Sequence, residues 1–341
     1  LAEQLRTTAY YQQSEAAIPV HQKVPGNDRH LPLMVADFAV CKDENGDFTP
    51  KLIELQGFPT LFAYQQLLAE AYSKQYPATA QYHAYTDGYQ AASFKAMMGK
   101  MLLADENPEQ VLLIDIDPVN QKTRADFEAT LLLYGINYRC ISEVERSGKQ
   151  LFYRHSGKKI PIKRLYNRVI FDELEKRPDC IRDFSLLEEI DIDWVIHPNW
   201  FFRISKYSLP LLKGDFVPET HFVHQLNSLP DNLDAWVLKP LYGFAGSGVN
   251  LQPTANDIAA LPNPEHFILQ KKVNYCPVFT SPAGPVKAEI RMMLFWPEGQ
   301  EDVQIATNLC RLSRSEQIGV SFNQKDNWVG SSSAFFRQST V

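Results

Sequence analysis

The sequence predicts an α/β protein built from several α+β lobes, and three observations carry that expectation. Apolar, strand-like runs alternate with helical stretches along the chain. Between Val111 and Ile141 a buried strand, a helix and a second strand follow in βαβ order. The 341 residues are 45% hydrophobic and 22% charged, which is enough apolar material for two or three packed lobes.

The elements follow in order. Residues 1 to 30 are polar, with room for a short helix, and end in the loop Pro25-Gly26-Asn27-Asp28. The run from Leu33 to Val40 reads as a strand, residues 43 to 47 as a turn and Leu52 to Gln56 as a second strand. Together they form a hairpin with a carboxylate on each arm. Helices are expected from Leu61 to about Tyr72 and from Tyr89 to Leu103. Val111 to Ile116 is a buried strand by its apolar run, and Thr123 to Leu133 is helical, ended by Gly135. Asn137 to Ile141 is the next strand, which completes a Rossmann-like lobe. Its first turn, Asp117-Pro118-Val119-Asn120, lacks G-x-G-x-x-G, so a dinucleotide site is not read there. Further strands are expected at 162–166, 235–240, 267–273, 288–295 and 303–311, and His197-Pro198-Asn199 opens a helix carrying Lys206.

Composition narrows the function classes. The net charge of -6 does not recommend a nucleic-acid partner. The basic cluster Lys158, Lys159, Lys163, Arg164 and Arg168 suits the phosphates of a small molecule. Five dispersed cysteines without a C-x-x-C pair argue against zinc and read as reduced thiols of a cytoplasmic protein. No apolar run is long enough to span a bilayer. The first residue is Leu1 rather than Met, which leaves a cleaved signal open. His83, His155, His197, His221 and His224 are not spaced as a ligand set, and Trp200, Phe201 and Phe202 read as core. Ser331, Ser332 and Ser333 read as a mobile loop, a candidate lid.

Three motifs carry chemistry. In the first, a strand delivers Lys239 into the loop Pro240-Leu241-Tyr242-Gly243-Phe244-Ala245-Gly246-Ser247-Gly248. Glycines let backbone N–H groups approach phosphate oxygens, and the lysine supplies a point charge. Gly248-Val249-Asn250 does not complete a Walker loop, and alone the motif is also compatible with a glycine-rich surface hairpin. In the second, the strand Phe267 to Val273 ends in polar residues, and Gln270 with exposed backbone could frame an adenine; taken alone, a plain strand end with solvated lysines is the better reading. In the third, Asp37, Glu54 and Gln56 converge from the two arms of the hairpin. Residues 54 and 56 share a strand face, and magnesium takes oxygen donors of this kind. A solvated acidic hairpin face is the alternative.

Taken jointly, these motifs resemble those of ATP-grasp enzymes. Asp37-Phe38 followed by Ile53-Glu54-Leu55-Gln56-Gly57-Phe58-Pro59 is similar to the family's metal-binding pair. That pair normally comes last in the chain and here comes first, as in a circular permutation. The chain is similar to the circularly permuted, glutathionylspermidine synthase-like group over most of its length. Ile160 to Arg168 resembles the segment in which a strand delivers an arginine, and His197-Pro198-Asn199 with Ser205-Lys206 resembles the helix bearing a first ATP lysine. Glu289-Ile290-Arg291 and Leu309 to Ser313 resemble two late strands. Gln56 stands where the family usually carries Asn, and Val35 where many amide-forming relatives carry Arg.

The resemblance implies the following. Residues 1–85 are the permuted C-terminal part with the metal hairpin, 86–175 a Rossmann-like pre-ATP-grasp domain, and 176–341 the remainder with the nucleotide lobe. Lys206 and Lys239 contact ATP phosphates, and Gly243, Gly246 and Gly248 close over them. Gln270, Lys271 and Val273 hold adenine, partly through backbone atoms. Asp37, Glu54 and Gln56 hold Mg2+. Arg168, Arg291 and Arg311 bind substrate carboxylate or the transferring phosphoryl group. The implied activity is an ATP- and Mg-dependent carboxylate–amine ligase acting through an acylphosphate on small-molecule substrates (amino acid, peptide or polyamine), with no nucleic acid or membrane as partner. A non-catalytic ATP-binding protein, a phosphotransferase on the same fold and an unrelated α/β protein carrying these motifs by chance are the alternatives.

Overall fold

The computed structural model describes residues 1–243, 248–315, 318 and 327–337. It is a mixed α/β structure with several sheets. The acidic hairpin forms because Leu33–Lys42 and Phe48–Gln56 are joined by a turn that the Asp43 side chain holds. Its Oδ1 accepts hydrogen bonds from the backbone N–H groups of Asn45 and Asp47, both at 2.9 Å. Leu33–Lys42 is apolar and almost wholly buried, so it cannot remain at an edge. It lies inside a six-stranded antiparallel sheet, between Phe48–Gln56 and the late strand Gly284–Phe295. Gln304–Ser313 continues the sheet beyond Gly284–Phe295, and Gly330–Ser332 beyond that.

A second sheet is all parallel. Val111–Asp115 is buried at every position, as the continuous apolar run requires. It pairs with Asn137–Cys140 on one side and Arg164–Asn167 on the other, and Asp193–Trp194 adds to the latter. The run expected at 162–166 is two strands, Lys158–Ile162 and Arg164–Asn167, which belong to different sheets. A third, three-stranded sheet orders Thr220–Phe222, Phe267–Lys271 and Trp236–Pro240.

Helices Phe62–Gln75, Ala91–Leu103 and Arg124–Tyr134 pack between the first two sheets. The start of Phe62–Gln75 is capped from another helix. Asp126 is buried and accepts from Thr60 Oγ1 (3.1 Å), Leu61 N (2.8 Å) and Tyr64 N (2.9 Å), which satisfies donors that no helix can satisfy internally. The largest apolar core draws Leu33, Phe62, Phe94, Leu113, Phe127, Trp200, Ile268 and Phe295 together, residues from all three expected segments.

Two expectations are corrected. His197-Pro198-Asn199 opens a helix of four residues, Trp200–Arg203, and Lys206 starts a separate 3-10 turn, Lys206–Leu211. The Ser205 hydroxyl accepts from the Tyr207 N–H and so restarts the helical path after Ile204. The serine run is not a loose loop. Ser331 pairs with Arg311 and Ser332 with Cys310, and buried Ser333 is hydrogen-bonded by Gln65.

Candidate functional site

The register of the large sheet builds the site. Asp37 stands opposite Glu54 on one side and Arg291 on the other, and Glu289 stands opposite Arg311. Because side chains alternate along a strand, Glu289 and Arg291 share the face on which Asp37 lies. The Asp37 carboxylate is 1% exposed. It accepts two bonds from Arg291, Nε to Oδ1 and Nη2 to Oδ2, both 2.7 Å, and a third from Arg311 at 2.5 Å. Burial alone would raise its pKa, but the two guanidiniums hold it well below the usual carboxylate range. Arg311 also reaches Glu289 at 3.0 Å, and the Tyr275 hydroxyl donates to the other Glu289 oxygen at 2.5 Å. Burial pushes the Glu289 carboxyl up, against the pull of Arg311.

The lysines meet the hairpin at its Glu54 arm. Lys206 lies 3.6 Å from Glu54 Oε2, and its Nζ donates to the Gly243 carbonyl at the start of the glycine loop. Lys239 Nζ donates to the Ile53 carbonyl at 3.2 Å and to Gln270 Oε1 at 2.5 Å. The early hairpin and the late lysine–glycine turn therefore meet. Gly57 makes the approach possible: a Cβ there would lie 2.5 Å from the Trp200 carbonyl oxygen, while its N–H bonds Ile204 O at 2.7 Å. Gly248 is constrained as well, with φ +72° and Pro240 Cγ 3.0 Å from where a Cβ would stand. Gly246 lies outside the described residues.

The cluster sets four buried or nearly buried cations, Lys206, Lys239, Arg291 and Arg311, against three carboxylates, Asp37, Glu54 and Glu289. The imbalance falls on Lys239. Burial drives its pKa down to about 8, and Glu54 only partly opposes that. Among the described residues, Gln270 Nε2 and Arg311 Nε are buried without a hydrogen-bond partner. Excess cation and unused donors fit an anionic ligand beside the lysines.

The proposed metal ligands are together on the hairpin but differ in availability. Asp37 gives both oxygens to arginines. Glu54 Oε1 accepts from Gln56 Nε2 at 2.6 Å, and no arginine bonds Glu54 among the described residues. No group of three or more His, Cys, Asp or Glu side chains suited to a metal ion occurs among the described residues. With both Asp37 oxygens engaged by arginines, Glu54 and Gln56 are the two of the three proposed ligands that could still hold an ion.

The remaining candidates separate. The strand expected to reach Val273 ends at Lys271, whose side chain is exposed, so Lys271 and Val273 can offer a ligand little beyond backbone. Arg168 stands apart from Arg291 and Arg311. Its Nη1 bonds the Phe58 and Pro59 carbonyls at 3.0 and 2.7 Å, and its guanidinium lies 4.5 Å from the Phe58 ring centroid. It pins the hairpin's exit to the carboxyl edge of the parallel sheet, beside buried Asp115, whose pKa burial pushes up to about 7. Sequence reasoning missed Glu289 and Tyr275. Glu289 was findable, two residues from Arg291 on a strand; Tyr275 carries no such signal.

No helix is long and apolar enough to cross a membrane among the described residues. No protein-family model matches the chain, and no curated protein does. In fold the chain is similar to a glutathione synthetase-like effector, GSS30 of Globodera pallida, in its apo form. The TM-score is 0.58 over 97% of this chain and 83% of that one, at 11% sequence identity.

Proposed function

We propose that this chain is an ATP- and magnesium-dependent ligase of circularly permuted ATP-grasp type that joins a small-molecule carboxylate to an amine. The observation that carries the reading is the meeting of Glu54 and Ile53 with Lys206 and Lys239 across the hairpin. An early hairpin that extends a sheet of late strands is what a permuted chain would give, and the all-parallel sheet is suited to a pre-ATP-grasp lobe. The fold likeness to a glutathione synthetase-like protein supports the same class. Cytoplasmic action belongs to the reading and rests on five unpaired cysteines.

Bound ATP would supply the phosphoryl group that turns a carboxylate, a poor acyl donor, into an acylphosphate. The chain's part is positioning and charge. Lys206 and Lys239 hold phosphate oxygens, with Gly243, Gly246 and Gly248 admitting backbone close to them. The unused amide of Gln270 and the backbone of Lys271 and Val273 face the base. Glu54 and Gln56 hold Mg2+. Arg291 and Arg311 present donors to the acid's oxygens while Asp37 fixes their planes.

The Asp37 ion pairs favour a second reading, nucleotide binding without turnover, because they withdraw one expected metal ligand. A thermal-shift titration with ATP and Mg2+, followed by phosphate release across amino acids, peptides and polyamines, separates the two. The ligase requires amine-dependent release. A shift without release supports the second reading, release without amine a phosphotransferase, and no shift removes both nucleotide readings.

A further inference from the structure

We infer that Cys140 and Cys180 are a reactive thiol pair that a low-molecular-weight disulfide oxidises to an intramolecular disulfide. Their sulfurs are 3.9 Å apart, and both are free thiols. Cys140 ends the parallel strand Asn137–Cys140 and is partly exposed. Its sulfur accepts hydrogen bonds from the Asp117 N–H at 3.4 Å and the Ser142 hydroxyl at 3.1 Å. Two donors meet at this sulfur, which is the more accessible of the pair. The Glu143 carboxylate accepts from the Cys140 N–H at 2.8 Å and so fixes the backbone that carries this sulfur. Cys180 is buried at the rim of the second apolar core, and burial, then the neighbouring sulfur, push its thiol up. The pair is therefore asymmetric, with Cys140 the nucleophile and Cys180 the resolving thiol.

The other cysteines are held differently. Burial pushes Cys41 and Cys310 up to about 11. Cys41 and Cys276 donate their S–H groups to the carbonyls of Ala39 and Val40, which engages the proton that attack would require them to lose. A disulfide needs sulfurs about 2.05 Å apart, so closure at Cys140 requires a shift. The chain from 176 to 192 carries no helix or strand and can supply it.

The exchange balances in two steps. The Cys140 thiolate attacks one sulfur of R–S–S–R, forming a mixed disulfide and expelling RS−. Cys180, losing its proton to solvent, attacks the Cys140 sulfur, closes the protein disulfide and expels the second RS−. The product ties the segment that follows Arg168 to the carboxyl edge of the parallel sheet.

The test is incubation of the full chain with oxidised glutathione, alkylation of remaining thiols and peptide mapping without reduction. The expected result is loss of two of the five thiols and a linked Cys140–Cys180 peptide as the main product. Cys180→Ser should trap a glutathione adduct on Cys140, roughly tenfold more than Cys140→Ser traps on Cys180. Free thiols at both positions, a Cys41–Cys276 link as main product, or equal adducts in the two variants would overturn the inference. The wild-type map decides even if a variant folds poorly.

Discussion

Two buried ionic clusters in this molecule look alike and behave differently. In one, Arg203 is 1% exposed and spends its guanidinium on Asp28, Glu15, Ser14 Oγ and the Tyr11 carbonyl, while stacking 4.2 Å from the Tyr11 ring. Asp28 takes further bonds from the Tyr11 hydroxyl at 2.5 Å and Asn199 Nδ2 at 2.8 Å. In the other, the lysines, arginines and carboxylates around the hairpin leave a depressed lysine and unused donors. Burial of charge is common to both. What singles out the second as a candidate binding place is a depressed buried lysine together with unpaired nitrogens on Gln270 and Arg311.

The largest effect should come from breaking the saturated cluster. Arg203→Met leaves Asp28 buried without its cation, and a denaturant melt should show a loss of about 3–5 kcal/mol. A small loss would dissolve the contrast. Lys239→Met should do the opposite in the ligand-free protein. It should leave stability unchanged or raised, while ATP no longer shifts the melting temperature. The pH profile gives the sign. Lys239 sits near 8 when folded and at its ordinary higher value when unfolded. Below pH 8 the burial cost is therefore fully present, and it is relieved as pH rises toward 10.5. The wild type should gain up to about 3 kcal/mol over that window relative to Lys239→Met. Parallel profiles would refute the assignment.

Glu54→Gln sharpens the comparison within the site. Nucleotide affinity should change by only a few-fold, whereas turnover should fall by about 100-fold or more, equivalent to roughly 2.7 kcal/mol of barrier. Calorimetric titration beside phosphate release distinguishes these, and equal losses in both would move Glu54 into the nucleotide's own binding set. The smallest effect is expected for Tyr275→Phe. It removes one hydrogen bond to Glu289 and should cost about 1–2 kcal/mol in thermal unfolding.

How much of this is legible in the sequence follows from how local each signal is. The hairpin is readable because its two strand-like runs and the Asn-Gly turn between them lie within 24 residues of sequence, Leu33 to Gln56. The βαβ unit is readable because an all-buried strand must be apolar throughout. The pairing of Asp37 is not, because its partners lie 254 and 274 residues away and nothing near Asp37 names them. The helix expected to carry Lys206 is too long because the break at Ile204 depends on a serine side chain, not on a proline or glycine. The Arg203 cluster is not legible, since its members come from stretches about 170 to 190 residues apart and nothing in either names the other.

The enclosed position of Leu33–Lys42 also bears on biosynthesis. Its neighbour Gly284–Phe295 leaves the ribosome some 250 residues later, which at about 5–20 residues per second is a wait of roughly 10–50 s. Throughout that interval a ten-residue apolar strand has one unpaired flank. The yield of the chain on expression should therefore depend on translation speed more than its final stability does.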